Sequence, residues 1–380
     1  MNDLRLSRVI DGMRLPLVYL VVVAHLVPFT LVNVNLLPNN SNEFYVLLSE
    51  MFSHHLAKIP VRCYFLVSGY FFFKKFQGQL VDFGIKQIKS RFRLLIIPFF
   101  AWNIIMILAI LFKNLVFLKL GRGLGEEYYY LTEMSLWRHL WSEPINFPLW
   151  YIRDLLCMML VFPVILFFIK WSKHYGIVAL GLLYVSMIES GVPGFSTTAI
   201  FFFSLGAYFS LQKKDILTFA SSFKYSVAAI ALVFLVVSLY KNGATDQEYY
   251  TRVFIIGGVI SIINLFDYLE SKDRLPQSFL GLSSLSFFIY VAHEVYIINW
   301  LKGFFYNLAI YENGWVKIAS YFIIPIICIA ICTLLFRLLQ KFLPRFTTFI
   351  LGGRLADYKY AKSDKATLEQ QVLPVTPSRK

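Results

Sequence analysis

The segment RLPLVYLVVVAHL (residues 14–26) opens the first long apolar stretch of the chain and decides its fold class. Apart from Arg14 and His25, its residues are apolar or aromatic, and stretches like it recur along the 380 residues. Each is about 17–25 residues long, which is enough for a helix to cross a bilayer. The chain is 58% hydrophobic and only 15% charged, whereas soluble domains have about 25% charged residues. The sequence therefore predicts an all-α, polytopic transmembrane bundle; a β-barrel would show short alternating segments instead.

About ten spans are predicted, in one transmembrane domain that covers residues 1–345. Their bounds are 15–34, 56–73, 94–119, 147–169, 176–190, 195–211, 223–240, 252–269, 279–301 and 315–339. Residues 346–380 are expected to form a cytoplasmic tail, and the polar, aperiodic end of this tail is expected to be disordered.

Lysine and arginine predict the orientation of the bundle. They concentrate before the first span, in alternate loops and after the last span, so both termini are expected in the cytoplasm. The same bias explains the net charge of +14 without a nucleic-acid partner. The four cysteines all fall in apolar segments without zinc or redox spacing, so buried, inert thiols are expected.

Arg14 and His25 are predicted to lie on one face of the first helix. Eleven residues make about three turns, and the two positions lie about 16 Å apart along the axis. Asp11, one turn before Arg14, is placed to pair with it. Ionisable groups within a span are costly and usually functional. The alternatives are an arginine that snorkels at the helix end and a histidine that makes a structural hydrogen bond.

Two further segments combine apolar residues with features that suit a ligand. In PVRCYFLVSGYFFFKKF (60–76), the run Ser68-Gly69-Tyr70 interrupts aromatic residues, and glycine permits close approach of a ligand or of another helix. In FGIKQIKSRFRLLIIPFFAW (83–102), three basic residues share one helical face and a fourth lies off it. They are Lys86, Lys89 and Arg93, with Arg91 off the face. Such a cluster suits anionic lipid headgroups or the phosphates of a nucleotide-like cofactor.

Ionisable residues also occur in the segment FPLWYIRDLLCMML (147–160). Trp150 is typical of a membrane interface. Arg153 and Asp154 are neighbours in sequence, and neighbours do not face each other on a helix. We therefore expect each of them to pair with another span or to face a polar cavity.

A second histidine occurs in LSSLSFFIYVAHEVYI (282–297). Ser286, Tyr290 and His293 follow helical spacing and share a stripe, and Glu294 follows His293 directly. Structural pairing is the alternative for these groups. Together with the residues above, they predict a polar cavity inside the bundle. No P-loop, HExxH or GxSxG motif occurs, and no metal site is expected.

These motifs together resemble the membrane-bound acyltransferase family three. The resemblance rests on the spacing of Arg14 and His25, FLVSGY (65–70), KQIKSRFRLLIIPF (86–99), PLWYIRDLL (148–156) and the SxxxYxxH pattern at 286–293. They occur in the family's order over residues 5–340, and WYIRDL is most similar to the branch that acts on surface polysaccharides. The resemblance implies transfer of an acyl group, commonly acetyl, from cytosolic acyl-CoA to a sugar hydroxyl of an envelope glycan or of its lipid-linked precursor.

The resemblance also implies roles for individual residues. His25 would be the base that deprotonates the acceptor hydroxyl, or would carry the acyl group itself. Arg14, oriented by Asp11, would hold a CoA phosphate or polarise the donor. The residues expected to bind the donor are Ser68, Gly69, Tyr70, Lys86, Lys89, Arg91 and Arg93. Those expected on the acceptor side are Trp150, Arg153, Asp154, Tyr290, His293 and Glu294.

The expected location is the bacterial cytoplasmic membrane, with membrane lipid and a glycan acceptor as partners. The main alternative is a transporter or flippase for a lipid-linked glycan or an anionic solute. The sequence has no obvious inverted repeat with paired broken helices, which would indicate a transporter. A membrane scaffold or receptor is a third possibility, although it would have no use for His25. The acceptor sugar, the choice between acetyl and succinyl, and the oligomeric state stay open.

Overall fold

The computed structural model describes residues 2–28, 32–76, 78–133 and 135–353. Helix makes up 81% of the structure, and these ranges contain no strand, so the predicted all-α class is confirmed. The α-helices, in chain order, are α1 (Asn2–Ala24), α2 (Ser41–Ser49), α3 (Ile59–Phe73), α4 (Leu80–Lys119), α5 (Glu126–Glu133), α6 (Trp150–Leu160), α7 (Phe162–Val185), α8 (Thr197–Leu211), α9 (Ile216–Ser222), α10 (Lys224–Tyr240), α11 (Gln247–Ser271), α12 (Gln277–Leu282), α13 (Ser286–Ala292), α14 (Ile298–Tyr306), α15 (Gly314–Phe342) and α16 (Pro344–Ile350).

Several helical segments of the described chain are long and apolar enough to cross a membrane. Six pass this test: Ser41–Phe73, Leu80–Lys119, Phe162–Val185, Gln247–Ser271, Gln277–Tyr306 and Gly314–Phe342. The pair α9 and α10, bent by 72°, would make a seventh, and α8 is a shorter apolar helix. Large apolar side chains are exposed on the outward faces, among them Phe112, Phe167 and Leu334, as expected for surfaces that contact lipid. The chain is therefore a multi-pass membrane protein, while the number ten and the orientation stay predictions.

Helix α1 lies at the centre of the bundle and packs against α3, α11, α13 and α15. It starts well before the predicted position 15, because its polar first half is paired with α11: Arg5 lies 2.7 Å from Asp267, and Arg8 lies 2.5 Å from Glu270. It ends at Ala24 rather than at residue 34. Pro28 follows shortly, and a proline lacks the donor that would continue the helix. His25 consequently lies in the turn just beyond α1.

Two predicted spans, 147–169 and 176–190, correspond to three helical pieces. Helix α6 ends at Leu160, and α7 carries a break at Lys173, where φ is 50° and ψ is −130°. The short α6 is thus separate from α7, and it contributes to the cavities described below.

Side-chain caps fix the beginnings of several helices. Asn40, Ser196, Asp215 and Asn313 each accept a hydrogen bond from a backbone N–H in the first turn that follows. Such caps satisfy donors that have no partner within the helix. They therefore place the starts of α2, α8, α9 and α15.

Helices α3 and α8 pack with their backbones in close contact. A Cβ atom added to Gly69 would lie 2.1 Å from the carbonyl oxygen of Phe203, and one added to Gly206 would lie 1.9 Å from that of Leu66. Neither position has room for a side chain. The two glycines thus hold α3 against α8, which is the packing alternative for Gly69.

The last described helix, α16, packs against α4. The indole Nε1 of Trp102 donates a hydrogen bond of 3.1 Å to the carbonyl oxygen of Ile350, whose side chain is buried. The beginning of the predicted tail, from residue 346, therefore forms part of the folded bundle. The polar end of that tail, 354–380, lies outside the described residues.

Candidate active site

Two cavities lie beside α1, one at Arg14 and one at His25 in the turn that follows the helix. The Arg14 cavity has a volume of 430 Å³, and the residues that line it include Arg14, Tyr64, Ser68, Tyr151, Ser286 and Tyr290. The His25 cavity has a volume of 240 Å³, and the residues that line it include His25, Lys58, Arg62, Phe147, Trp150 and Tyr290. Tyr290 lines both cavities, so the two cavities adjoin at this side chain.

Arg14 forms the predicted ion pair with Asp11. Its Nη1 lies 2.9 Å from Oδ1 of Asp11, and the Arg14 side chain is 43% exposed. The hydroxyl of Tyr64 donates to the carbonyl oxygen of Arg14 at 3.4 Å. The guanidinium is therefore held at one end by its carboxylate while it stays accessible to a ligand in the cavity.

His25 faces a carboxylate and a second imidazole. Its Nδ1 lies 3.6 Å from Oε2 of Glu294, and its ring centroid lies 5.1 Å from that of His293. The backbone carbonyl of His25 accepts a hydrogen bond of 2.8 Å from Nζ of Lys302. This bond fixes the turn after α1, so the histidine is held in place by its backbone as well as by its ring.

His293, whose ring lies beside that of His25, is fully buried. Its Nδ1 is 3.0 Å from the carbonyl oxygen of Ile289, which assigns the proton to Nδ1. Its Nε2 has no hydrogen-bond partner in the described part of the chain, and neither has Oε2 of Glu294. The potential ligand atoms of His25, His293 and Glu294 all lie within 4.8 Å of one another. This donor set has the chemistry to hold a divalent cation, although no metal was expected from the sequence.

The helical segment that carries His293 and Glu294 is broken close to these two residues. Helix α13 ends at Ala292 and is followed by a π-helical turn, His293–Ile297, within which Val295 and Tyr296 leave helical geometry. The φ angle of Tyr296 is 61°. The predicted span 279–301 lies within the candidate membrane span Gln277–Tyr306, and the turn interrupts the regular helix inside it. Since π-turns are frequent at functional sites, the break supports a functional role for this region.

Comparison with known proteins identifies the family. A family model described as an acyltransferase domain matches residues 8–352. The chain belongs to the membrane-bound acyltransferase family three. It is 26% identical over 310 residues to the succinoglycan biosynthesis protein ExoH of Rhizobium meliloti (strain 1021), and the alignment covers 79% of this chain and 80% of that protein. No solved structure matches. The matched region of this acyltransferase extends from α1 to α16 and includes both cavities.

The donor-side residues predicted in α3 of the acyltransferase point in different directions. Ser68 lines the Arg14 cavity, and its hydroxyl lies 3.5 Å from that of Tyr151. Gly69 faces α8, as described above, and does not line either cavity. Tyr70 lines a different cavity of 320 Å³, together with Lys74, Lys213 and Lys214. Of the three, only Ser68 therefore lies beside Arg14.

The four basic residues predicted to bind the donor do not converge on one point. Lys86, Lys89 and Arg93 are exposed, whereas Arg91 is half-buried and interacts electrostatically with Tyr151, which lines the Arg14 cavity. Their helix, α4, is a candidate membrane span. Arg91 therefore interacts with a residue of the Arg14 cavity, whereas the three exposed residues also suit lipid headgroups.

The expectation for Arg153 and Asp154 was wrong in part, because the two side chains pair with each other. Nε and Nη2 of Arg153 donate to Oδ1 of Asp154 at 3.0 and 2.8 Å. The long arginine side chain can bend back along α6, which the helical-spacing argument ignores. Nη1 of Arg153 also binds the carbonyl oxygens of Trp141 and Ser142. The pair is buried and anchors the loop before α6, while neighbouring Trp150 lines the His25 cavity.

Several lining residues were missed or underrated in the sequence. Tyr64 and Tyr151 line the Arg14 cavity, and the carbonyl of Pro148 accepts a short hydrogen bond from the Tyr290 hydroxyl. Lys58 and Arg62 line the His25 cavity. Their spacing of four residues at the start of α3 was the available signal, since residues four apart share a helical face; Arg62 alone suggests only an interfacial anchor.

Proposed function

We propose that the protein transfers an acyl group, most simply acetyl, from acyl-CoA to a sugar hydroxyl of a cell-surface polysaccharide or of its lipid-linked precursor. The observation that carries this proposal is the pair of cavities along α1, which share Tyr290 as a wall and present Arg14 on one side and His25 on the other. The relative named above belongs to succinoglycan biosynthesis, which supports a polysaccharide acceptor.

The donor enters the Arg14 cavity in this proposal. The exposed guanidinium of Arg14, oriented by Asp11, binds an anionic or carbonyl oxygen of the acyl-CoA. Ser68, Tyr64 and Tyr151 offer hydroxyl groups along the wall, which suit the amide groups of a pantetheine arm. Arg91, near Tyr151, is the candidate for a phosphate contact. The thioester end then points past Tyr290 towards His25.

His25 acts as the general base. The acceptor hydroxyl attacks the thioester carbonyl carbon while His25 takes the hydroxyl proton. The carbon–sulfur bond breaks, a carbon–oxygen ester bond forms, and the CoA thiolate leaves and is protonated by the imidazolium. Glu294, whose Oε2 lies 3.6 Å from Nδ1, stabilises the imidazolium through its charge. Buried His293 packs behind the ring and limits its rotation.

The acceptor occupies the His25 cavity in this proposal. Trp150 and Phe147 provide aromatic surface, on which a sugar ring can stack. Tyr290 forms part of the wall of this cavity. The Arg153–Asp154 pair holds the loop before α6. The donor and acceptor thus reach His25 from the two cavities that share Tyr290.

The membrane arrangement completes the proposal. The Arg14 end faces the cytoplasm, where acyl-CoA is available, and the chain crosses the cytoplasmic membrane of a bacterium about ten times with both termini inside. Exposed Lys86 and Lys89 then lie at the inner headgroups and bind anionic lipid.

The test uses purified protein in detergent, acetyl-CoA and a glycan acceptor, with loss of thioester as the measurement. We expect His25→Ala to abolish transfer and leave acetyl-CoA binding within about threefold. Exposed His174 provides the control, since His174→Ala should behave as wild type. Transfer that continues unchanged in His25→Ala would refute the assigned base. A wild type that binds no acyl-CoA would refute the acyltransferase proposal and favour a transporter.

A further inference from the structure

The His25 cavity contains more positive charge than general base catalysis needs. Lys58 and Arg62 both line it, and neither is required for proton transfer. Nε of Arg62 is buried and has no hydrogen-bond partner in the described part of the chain. Arg62 also interacts with the buried hydroxyl of Tyr184, but in the described residues it forms no ion pair of its own, so an anion that reaches it from the cavity would be favoured.

The charged side chains around the His25 cavity include more cations than carboxylates. Nζ of Lys58 lies 2.6 Å from Oε2 of Glu248. Arg252 lies 2.9 Å from Glu189 and 3.5 Å from the other oxygen of Glu248. Arg62 interacts electrostatically with two of these side chains: Glu248 attracts it and Lys58 repels it. Three cations therefore share two carboxylates, and one positive charge, on the cavity side, stays uncompensated.

We propose that Arg62 and Lys58 form an anion subsite that binds a carboxylate of the substrate beside His25. The planar guanidinium fork matches the geometry of a carboxylate and can donate two parallel hydrogen bonds to it. At 240 Å³ the cavity is smaller than a typical ligand pocket of about 300–1,000 Å³. It therefore admits a small group rather than a whole oligosaccharide. This inference rests on the proposed function and narrows its substrate class.

The carboxylate has two possible sources. It is either the free carboxylate of a dicarboxylic acyl group, such as succinyl, or the carboxylate of an acidic sugar in the acceptor. In the first case the subsite selects the donor; in the second it selects the glycan. Both place one negative charge at the same position next to His25, and binding of suitable probes separates them.

The test measures equilibrium binding of four probes to purified protein in detergent. The donor pair is acetyl-CoA and succinyl-CoA; the acceptor pair is a neutral glucose tetrasaccharide and the same tetrasaccharide ending in glucuronate. We expect the anionic member of one pair to bind better to wild type, and Arg62→Gln to remove that preference, with a loss of about tenfold to a hundredfold for a charged hydrogen bond. Arg62→Lys should retain part of it. Exposed Arg122 gives the control variant Arg122→Gln, which should change nothing.

A second variant guards against simple misfolding. Glu248→Gln removes the carboxylate that neutralises Lys58, so it should strengthen binding of the preferred anionic probe while leaving the neutral one unchanged. A preference in the donor pair identifies the acyl carboxylate, and one in the acceptor pair identifies the acidic sugar. Equal binding within both pairs of wild type, or equal weakening of neutral and anionic probes by Arg62→Gln, overturns the subsite. Failure of both CoA thioesters to bind would instead overturn the proposed function.

Discussion

Replacement of Glu294 by glutamine tests how the carboxylate beside His25 contributes to catalysis. The substitution keeps the shape of the side chain and removes its charge. In the proposed reaction His25 becomes an imidazolium at the transition state, with the carboxylate 3.6 Å from Nδ1. Coulomb's law gives about 5 kcal/mol for this distance at an effective dielectric constant of about 20, and about 1 kcal/mol at about 80. Since both side chains are less than 20% exposed, the larger value is the better guide.

These energies convert directly into rates. We expect Glu294→Gln to lower kcat between about fivefold and about 5 × 10³-fold, with the KM for the donor nearly unchanged, because the charge interaction forms only in the transition state. The assay is thioester loss from acetyl-CoA, followed by the released thiol. Glu312, which is 94% exposed, provides the control Glu312→Gln. An unchanged kcat in Glu294→Gln would refute the role of Glu294, and a rise in KM alone would assign it to substrate binding.

Three further predictions concern the donor side and the packing of the bundle. Arg14→Ala should raise the KM for acyl-CoA by about tenfold in steady-state kinetics, while Arg122→Ala should not; equal kinetics in the two would exclude Arg14 from the donor site. Gly206→Ala should cost about 1–3 kcal/mol or more of stability through overpacking of α3 against α8, measured by thermal unfolding in detergent. Gly303→Ala, where a Cβ atom meets nothing within 4 Å, is its control, and equal stability of the two variants would contradict the close packing. Removal of residues 344–380 should lower the unfolding temperature more than removal of 354–380, because only the first deletes the Trp102 contact to Ile350; equal temperatures would show that α16 adds no stability.

The all-α class was predictable because it follows from the length and periodicity of the apolar segments. The ion pair of Arg14 with Asp11 is likewise a matter of helical spacing, and it forms. The four cysteines are free and buried, as their apolar surroundings indicated. Each of these features depends on residues that are close in sequence.

Other features depend on where a helix stops or breaks, and these were not predictable. The end of α1 at Ala24 places His25 in a turn, and this turn is held by Lys302, which is 277 residues further along the chain. The turn at His293–Ile297 has no proline or glycine to announce it. It is stabilised from outside, since the hydroxyl of Tyr296 donates to Glu127 at 3.1 Å. Long-range contacts of this kind decide the local geometry, and the periodicity of the sequence contains no information about them.

His293 and Glu294 are neighbours in sequence, and a helix turns successive residues about 100° apart. Both nevertheless reach His25, His293 with its ring and Glu294 with its longer, flexible side chain. Helix α13, just before the break, keeps Tyr290 between the two cavities. In the proposed reaction the same segment supplies a side chain shared by the donor and acceptor cavities and the groups that surround the base, so a substitution that straightens the turn at His293–Ile297 should impair catalysis without closing the Arg14 cavity.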